Sequence, residues 1–186
     1  MIVNIAFLRG INVGGQKSIK MDRLKGVLNA TGLCDVQTYI QSGNVLFKSN
    51  EEEATLQITI RQAIETAFGF SVPVMIRTAE ELNQMILKFP FSEDDVLEAE
   101  TISQVESAYI CLLASAPSPE KVQLLDIYRD PFNHFQIIGR DVFLLFHQSI
   151  RKSQLTGHLD KLGIPSTIRN WKTINQLAIL VKGMGK

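Results

Sequence analysis

The sequence predicts an α+β protein made of two ferredoxin-like βαββαβ units packed together, with a linking helix between them and a C-terminal helix. Apolar runs of strand length alternate with segments of helical periodicity, and the same order of elements occurs twice within 186 residues. Two short hairpin signals, Ser42-Gly43 and Gly139-Arg140, lie at corresponding places in that order. The predicted boundaries are 1–77 for the first unit, 78–104 for the linking helix and an acidic connector, and 105–186 for the second unit with the terminal helix.

The first half begins with the β-branched run Ile2–Leu8, which ends before a glycine and therefore predicts a strand. Apolar residues then recur at helical spacing from Met21 to Leu28, and Thr31-Gly32 ends that helix. The remaining predicted elements are the strands Val36–Gln41 and Asn44–Lys48, the helix Glu51–Phe68 and the strand Phe70–Arg77.

The second half repeats this order and adds a closing helix. Ser118-Pro119 is typical of a helix beginning, because proline is tolerated in the first turn. The two halves show no residue-level identity, so the predicted repeat is architectural. The predicted elements are the linking helix Ala79–Phe89, strand Val105–Ser115, helix Ser118–Arg129, strands Phe132–Ile138 and Asp141–His147, helix Lys152–Leu162, strand Ser166–Arg169 and helix Trp171–Lys182.

The central strands are apolar at consecutive positions. Ile5–Leu8 and Val142–Phe146 do not alternate between apolar and polar residues, as a strand with one solvated face would. We therefore expect both faces of each sheet to be buried, with the other half of the chain as the simplest cover.

Charge is balanced overall but uneven along the chain. Lys and Arg number 19, as do Asp and Glu, so the net charge of zero predicts no general attraction to nucleic acid or anionic membranes. Residues 1–77 carry eight basic and six acidic residues, residues 78–116 one basic and eight acidic, and residues 117–186 ten basic and five acidic. The acidic segment, with Pro90 and the polar run Ser92–Gln104, has the composition of a connector.

The chain shows no signal-peptide pattern after Met1 and no apolar run approaching the roughly 18 residues of a membrane span. Two cysteines, Cys34 and Cys111, predict neither a disulfide framework nor a thiolate zinc site. We expect a cytoplasmic protein without a membrane partner.

A candidate anion site follows from the predicted topology. In a ferredoxin-like unit the loop after strand 1 and the strand 2–3 hairpin lie at the same edge of the sheet. Glycine amides and a helix N-terminus in the first segment suit an anion, Arg9 offers a bidentate contact, and Lys17 offers a point charge. The predicted ligand-binding residues are Arg9, Gly10, Asn12, Gly14, Gly15, Lys17, Gln41, Ser42 and Asn44, with Arg169 from the C-terminal segment.

A structural interpretation of the same residues stays open. The glycines then only permit positive φ angles, the asparagines cap turns, and Arg9 pairs with an acid of the connector. A phosphate-binding loop of the ATPase type is excluded, because Gln16 stands where that motif requires lysine. In the C-terminal segment we expect Asn170 to cap the last helix and Trp171 to anchor it, rather than to bind a base.

Three strings carry a resemblance to a known family: Leu8-Arg9-Gly10-Ile11-Asn12-Val13-Gly14-Gly15, Thr38-Tyr39-Ile40-Gln41-Ser42-Gly43-Asn44-Val45 and Thr167-Ile168-Arg169-Asn170-Trp171-Lys172-Thr173. In this order they resemble the bacterial domain-of-unknown-function 1697 family over nearly the whole chain. The resemblance implies a bacterial cytoplasmic protein and draws attention to these segments, but it implies no substrate.

The leading hypothesis is a domain that binds a small anionic or nucleotide-like molecule at the edge formed by Arg9 and Gln41. No nucleophile–base pair is visible, so no reaction, cofactor or metal is assigned. The alternatives are single-stranded nucleic-acid binding on a sheet, and a protein-interaction module that uses the acidic connector and the basic C-terminal third. The sequence does not determine the oligomeric state.

Overall fold

The computed structural model describes residues 1–185 and contains, within them, two four-stranded antiparallel sheets and seven α-helices. The protein is therefore α+β, as predicted. The elements up to the first long connection are β1 Ile2–Leu8, α1 Met21–Asn29, β2 Cys34–Tyr39, β3 Asn44–Ser49, α2 Glu53–Phe68, β4 Val74–Thr78 and α3 Ala79–Leu87.

The remaining elements are α4 Glu93–Ser103, β5 Ala108–Leu113, α5 Pro119–Asp126, β6 Asn133–Ile138, β7 Asp141–Phe146, α6 Gln154–His158, β8 Ser166–Asn170 and α7 Trp171–Met184. The chain divides into two compact units, Met1–Gln84 with Gln176–Lys186, and Met85–Asn175. The boundaries expected from the sequence for the two subdomains and the connector stay predictions.

The first sheet has the strand order β2-β3-β1-β4, so its first strand in sequence lies in the interior. One face packs against α1 and α2, whose buried residues Leu24, Leu28 and Ile60 belong to the same apolar core as Ala6 and Leu8. Helices cover this face because their apolar residues recur along one side.

The other face of the first sheet is buried as well. Ile5 pairs with Leu46 and Arg77 across the sheet, and Phe7 pairs with Met75. These five side chains are at most 1% exposed. The expectation that the central strands are buried on both faces is met in this unit.

The second sheet has the order β6-β7-β5-β8, which is the same arrangement of strands as in the first. Its helix-covered face joins Cys111, Leu144 and Phe146 to Leu125 of α5 and Leu155 of α6 in one core. Burial of this core accounts for the position of both helices, since each contributes its apolar side.

The acidic segment expected to be a connector contains a helix, α4. Ser92 and Asp95 form a capping box, in which the Ser92 hydroxyl accepts from the Asp95 amide at 3.1 Å and the Asp95 carboxylate accepts from the Ser92 amide at 2.8 Å. Acidic residues in the first turn also stabilise α4, because their negative charges interact favourably with the positive end of the helix dipole. Ala99 of α4 packs with Ala108 and Leu145, so this helix covers part of the second face of its sheet.

The helix predicted at Lys152–Leu162 is wrong as a single element. Ser153 has an extended conformation with ψ near 124°, and the helical segment that follows, α6, has only five residues. Short 3₁₀ turns at Ile150–Lys152 and Leu159–Leu162 flank it. Gly157 is the fourth of the five residues of α6, and glycine weakens a helix.

Two buried arginines occupy corresponding positions in the two sheets. Arg77 of β4 lies opposite Ile5, and Arg169 of β8 lies opposite Ile110 in the corresponding central strand. Each guanidinium donates a 2.8 Å hydrogen bond to the carbonyl of the preceding isoleucine. The amino-acid sequences of the two halves do not reveal this correspondence, because it depends on the strand registers.

We expect Ser92→Ala to lower the free energy of unfolding at pH 7 by about 1 kcal/mol, because the α4 capping box is lost. Hydrogen bonds from the Ser92 side chain and amide hold the pKa of Asp95 below its ordinary 3.8. Their contribution is present above that value and is lost as the pH falls through the folded-state pKa. In urea denaturation, the difference in free energy of unfolding between the variant and the wild type should therefore become smaller at acidic pH.

Ser115→Ala is the matched control, because Ser115 is exposed and lies outside the helices and strands. This change should alter stability by less than about 0.5 kcal/mol. Equal effects of the two substitutions would contradict the role of the capping box.

Candidate functional site

Three connections meet at one end of the first sheet. They follow β1 (residues 9–20), join β2 to β3 (residues 40–43) and precede β4 (residues 69–73), and we call them together the glycine edge. The Leu8 amide donates to the Gly43 carbonyl at 2.8 Å, and the Arg9 amide donates to the Pro73 carbonyl at 3.0 Å. The predicted meeting of the first two segments at one edge is confirmed.

Residues 12–17 form a small hairpin rather than an open loop. The Gln16 amide donates to the Val13 carbonyl at 3.1 Å, and the Asn12 amide donates to the Lys17 carbonyl at 3.2 Å. Gly14 and Gly15 have φ angles of 61° and 75°, as a two-residue type I′ turn requires. Both glycines are exposed, and within residues 1–185 their amides have no hydrogen-bond partner.

Asn12 joins the hairpin to the neighbouring turn. Its side-chain amide donates to the carbonyls of Gln41 at 2.9 Å and Ile19 at 3.0 Å, and its side-chain oxygen accepts from the Ile19 amide at 2.7 Å. Both side-chain N–H groups are therefore used by the backbone. Asn12 therefore holds the hairpin, Ile19 and the β2–β3 turn together. This agrees with the structural interpretation, in which the asparagines stabilise turns.

The turn between β2 and β3 is tightly packed at Gly43. Its φ angle is 83°, and a Cβ atom there would lie 2.8 Å from the Ile11 Cδ1 atom and 2.9 Å from the Leu8 Cβ atom. The next residue, Asn44, is fully buried and donates to the Tyr39 carbonyl and the Ser42 hydroxyl, both at 3.1 Å. Asn44 and Ser42 thus shape the turn.

The exposed part of the glycine edge is basic. Its three connections contain Arg9, Lys17 and Lys20, and none of their residues is acidic. The Lys17 ammonium donates to the Ser71 carbonyl at 3.1 Å and lies 5.9 Å from the centre of the Phe70 ring. Gln41 is exposed, Ser42 and Arg9 are half-buried, and Gly10 is exposed with a φ angle of 70°.

Arg169 belongs to the second compact unit and is only 7% exposed. Its guanidinium donates to the Thr167 hydroxyl and the Ile168 carbonyl, both at 2.8 Å. Burial lowers the pKa of Arg169 to about 10, so the side chain remains charged at neutral pH. The helix that follows begins as predicted, since the Asn170 side chain accepts from the Thr173 amide at 2.8 Å.

Sequence reasoning missed a groove in the second unit. Phe89 stacks on Trp171 with ring centres 3.9 Å apart and planes within 14°, and Phe91 contacts Phe89 edge-on at 5.6 Å. The groove has a volume of about 460 Å³. We call it the aromatic groove, and its lining comprises Ile86, Phe89, Phe91, Glu93, Val96, Leu97, Glu100, Trp171 and Asn175. The sequence signal that could have indicated this groove is the pair Phe89 and Phe91 directly before the acidic residues that begin at Glu93.

Two negative findings hold for the part of the chain that the structure describes. It contains no group of three or more His, Cys, Asp or Glu side chains arranged to hold a metal ion. Both cysteines are free thiols. No helix among residues 1–185 combines the length and the apolar character needed to cross a bilayer.

Gly43→Ala should lower the free energy of unfolding by about 2–4 kcal/mol, because the added methyl group meets Ile11 and Leu8 and the φ angle is left-handed. Gly14→Ala is the control, since it carries a left-handed φ angle with nothing within 4 Å of the added Cβ. The Gly14→Ala substitution should lower the free energy of unfolding by about 1 kcal/mol. Chemical denaturation measures both, and equal losses would contradict the close packing at Gly43.

Asn12→Ala should destabilise the protein by about 1–3 kcal/mol, because the Ile19 amide is left without its side-chain acceptor at a buried residue. It should also speed amide hydrogen exchange at residues 12–19 and 40–43. Exchange in the second sheet serves as the internal control. Unchanged exchange at residues 40–43 would show that Asn12 does not hold the two segments together.

Comparison with known proteins gives a family and a fold. The model of the family described as "Protein of unknown function (DUF1697)" matches residues 1–143. A solved structure of the conserved bacterial protein SP0830 from Streptococcus pneumoniae is similar, with a TM-score of 0.72, 21% identity and coverage of 98% of this chain and 99% of that one. No curated protein matches the chain. With the family model covering more than half of its length, the chain belongs to the DUF1697 family.

Proposed function

We propose that the protein binds a small anionic, nucleotide-like molecule at the glycine edge. The observation that carries the proposal is the charge of this edge: three connections that meet at one sheet end contain Arg9, Lys17 and Lys20 and no acidic residue. An exposed surface of one charge sign attracts ligands of the opposite sign. A phosphate or carboxylate group is the chemistry that suits these residues.

The proposed contacts divide the predicted residues into two groups. Arg9, Lys17, Gln41 and the amides of Gly14 and Gly15 contact the ligand. The Lys17 ammonium has three donors, of which the Ser71 carbonyl uses one. The remaining candidates of this unit, Gly10, Asn12, Ser42 and Asn44, form the frame that holds these groups. None of the contact residues pairs a nucleophile with a base, so the proposal is binding without an assigned reaction.

The proposal extends to Arg169 and to the architecture. Arg169 donates to groups of its own strand, so we give it a structural part in the second unit. We take each unit to be ferredoxin-like, which the order β2-β3-β1-β4 and its counterpart β6-β7-β5-β8 support. The cytoplasmic location expected from the sequence is part of the same proposal.

The alternative of single-stranded nucleic acid on a sheet face has less support. Such platforms use exposed aromatic residues on which bases stack. Here Phe7, Leu46 and Met75, on the face away from the helices, are fully buried. Nucleic acid binding is therefore retained only as an outcome of the experiment below.

We expect adenosine monophosphate or inorganic phosphate to raise the melting temperature of the wild type. A ligand at a hundred times its Kd stabilises the folded state by about 2.7 kcal/mol. Arg9→Ala should abolish this shift, and Arg9→Lys should weaken it, because lysine lacks the bidentate fork. Lys17→Met should lower the affinity for the ligand, measured by calorimetry, at least about tenfold.

Arg151→Ala is the matched control, because Arg151 is exposed and belongs to the second unit. It should leave the ligand-induced shift unchanged. A panel of nucleotides, phosphorylated metabolites and carboxylates that gives no stabilisation of the wild type would overturn the proposal. Salt-dependent binding of labelled single-stranded oligonucleotides, unaffected by Arg9→Ala, would favour the nucleic-acid alternative instead.

A further inference from the structure

We propose that the aromatic groove binds a basic amphipathic segment of a partner protein, with its apolar side chains on the aromatic rings and its Lys and Arg side chains facing the carboxylates of α4. This site lies in the second compact unit and is independent of the glycine edge. Three features of the groove suit such a segment: its preformed aromatic floor, its exposed apolar rim and the sign of its charge.

The floor of the groove is ordered before any partner arrives. Phe89 is held by a stacked contact with Trp171 and by edge-on contacts with Phe91 and with the buried Phe143, whose ring centre is 6.0 Å away. Trp171 also contacts Phe143 edge-on at 6.3 Å. Rings fixed in this way lose little conformational entropy on binding, so contacts with them convert more fully into affinity.

The rim presents apolar side chains to solvent. Leu97 of α4 lines the groove and is 64% exposed. Phe89, Phe91 and Val96 are only partly buried. A single exposed apolar residue is ordinary, but an exposed leucine that shares one concave surface with partly buried aromatic rings and Val96 indicates an interaction site.

The charge of the groove determines the chemistry of its occupant. Residues 92–106 contain six acidic residues and no basic one. Glu93 lines the groove and is exposed. Lys172, next to Trp171, is paired with Glu100 at 3.5 Å and Glu106 at 3.6 Å. An acidic peptide or a nucleic acid would meet repulsion here, whereas a cationic segment would be steered to the groove.

The elements that line the groove favour a helical segment over an extended one. The lining comes from α3, α4, the residues between these two helices and the first turns of α7, and no strand edge is among them. Strand addition needs an unpaired edge, whereas an amphipathic helix needs an apolar groove for anchors at i, i+3 or i+4, and i+7. A helix with leucine on one face and lysine on the other has the required chemistry.

Trp171 makes the proposal directly measurable, because it is the single tryptophan of the chain and lies in the groove. A fluorescein-labelled model peptide of leucine and lysine at helical spacing should bind in an anisotropy titration, and the unlabelled peptide should change the emission of Trp171. The matched peptide with glutamate in place of lysine should bind at least about tenfold more weakly.

Leu97→Lys should lower the affinity for the leucine–lysine peptide about tenfold. The substitution removes an apolar contact at the rim and adds a cation that repels the lysines of the peptide. Glu93→Lys is the second variant and tests charge without touching the apolar rim. Leu124→Lys is the matched control, since Leu124 is a 54% exposed leucine on α5 of the same unit. It should change the affinity by less than about twofold.

Each other outcome overturns the proposal. Unchanged Trp171 emission would mean that the peptide does not occupy the groove. Equal binding of the lysine and glutamate peptides would show that charge does not select the partner, as would an unchanged affinity of Glu93→Lys. A protein dimer in sedimentation that Leu97→Lys dissociates would assign the groove to a second copy of this chain.

Discussion

The central strands of both sheets are buried on both faces, and this constraint determines which parts of the molecule carry exposed side chains. Ile5 and Leu46 in the first sheet, and Ile110 and Phe143 in the second, leave no solvent-exposed sheet face at these positions. Polar groups at such positions would cost free energy unless they were hydrogen-bonded. Solvent-accessible side chains are therefore found at the strand ends and on the flanking helices, as in the glycine edge and the aromatic groove.

Within the glycine edge, residues of similar chemistry have different tasks. Asn12 and Gln41 are both amides, yet both N–H groups of the Asn12 side chain are used by backbone carbonyls, one of them the carbonyl of Gln41. Gly43 is required because any side chain would collide with Ile11, whereas Gly14 is required only for its φ angle. Under the proposed function, a rigid frame of this kind would present the remaining groups to the ligand with little loss of conformational entropy.

Zero net charge conceals two surfaces of opposite sign. The glycine edge is basic and has no acidic residue, and the segment around α4 is acidic and has no basic residue. The two proposals accordingly assign an anionic ligand to the first surface and a cationic segment to the second. Lys172 shows how local pairing limits the charge of such a surface, because its contacts with Glu100 and Glu106 neutralise part of the acidic surface.

Periodicity and turn residues in the sequence were sufficient to predict most strands, the α+β class and the meeting of two distant bends, because these depend on local propensity and on a small set of allowed strand connections. They were insufficient for α4, whose acidic composition hid a capping box at Ser92, and for the tasks of Asn12 and Arg169. Asn12 bonds a carbonyl 29 residues away, and Arg77 corresponds to Arg169 only through strand register. Contacts of this kind are decided by tertiary packing, since the partner of a polar group depends on which remote segments the buried core brings beside it.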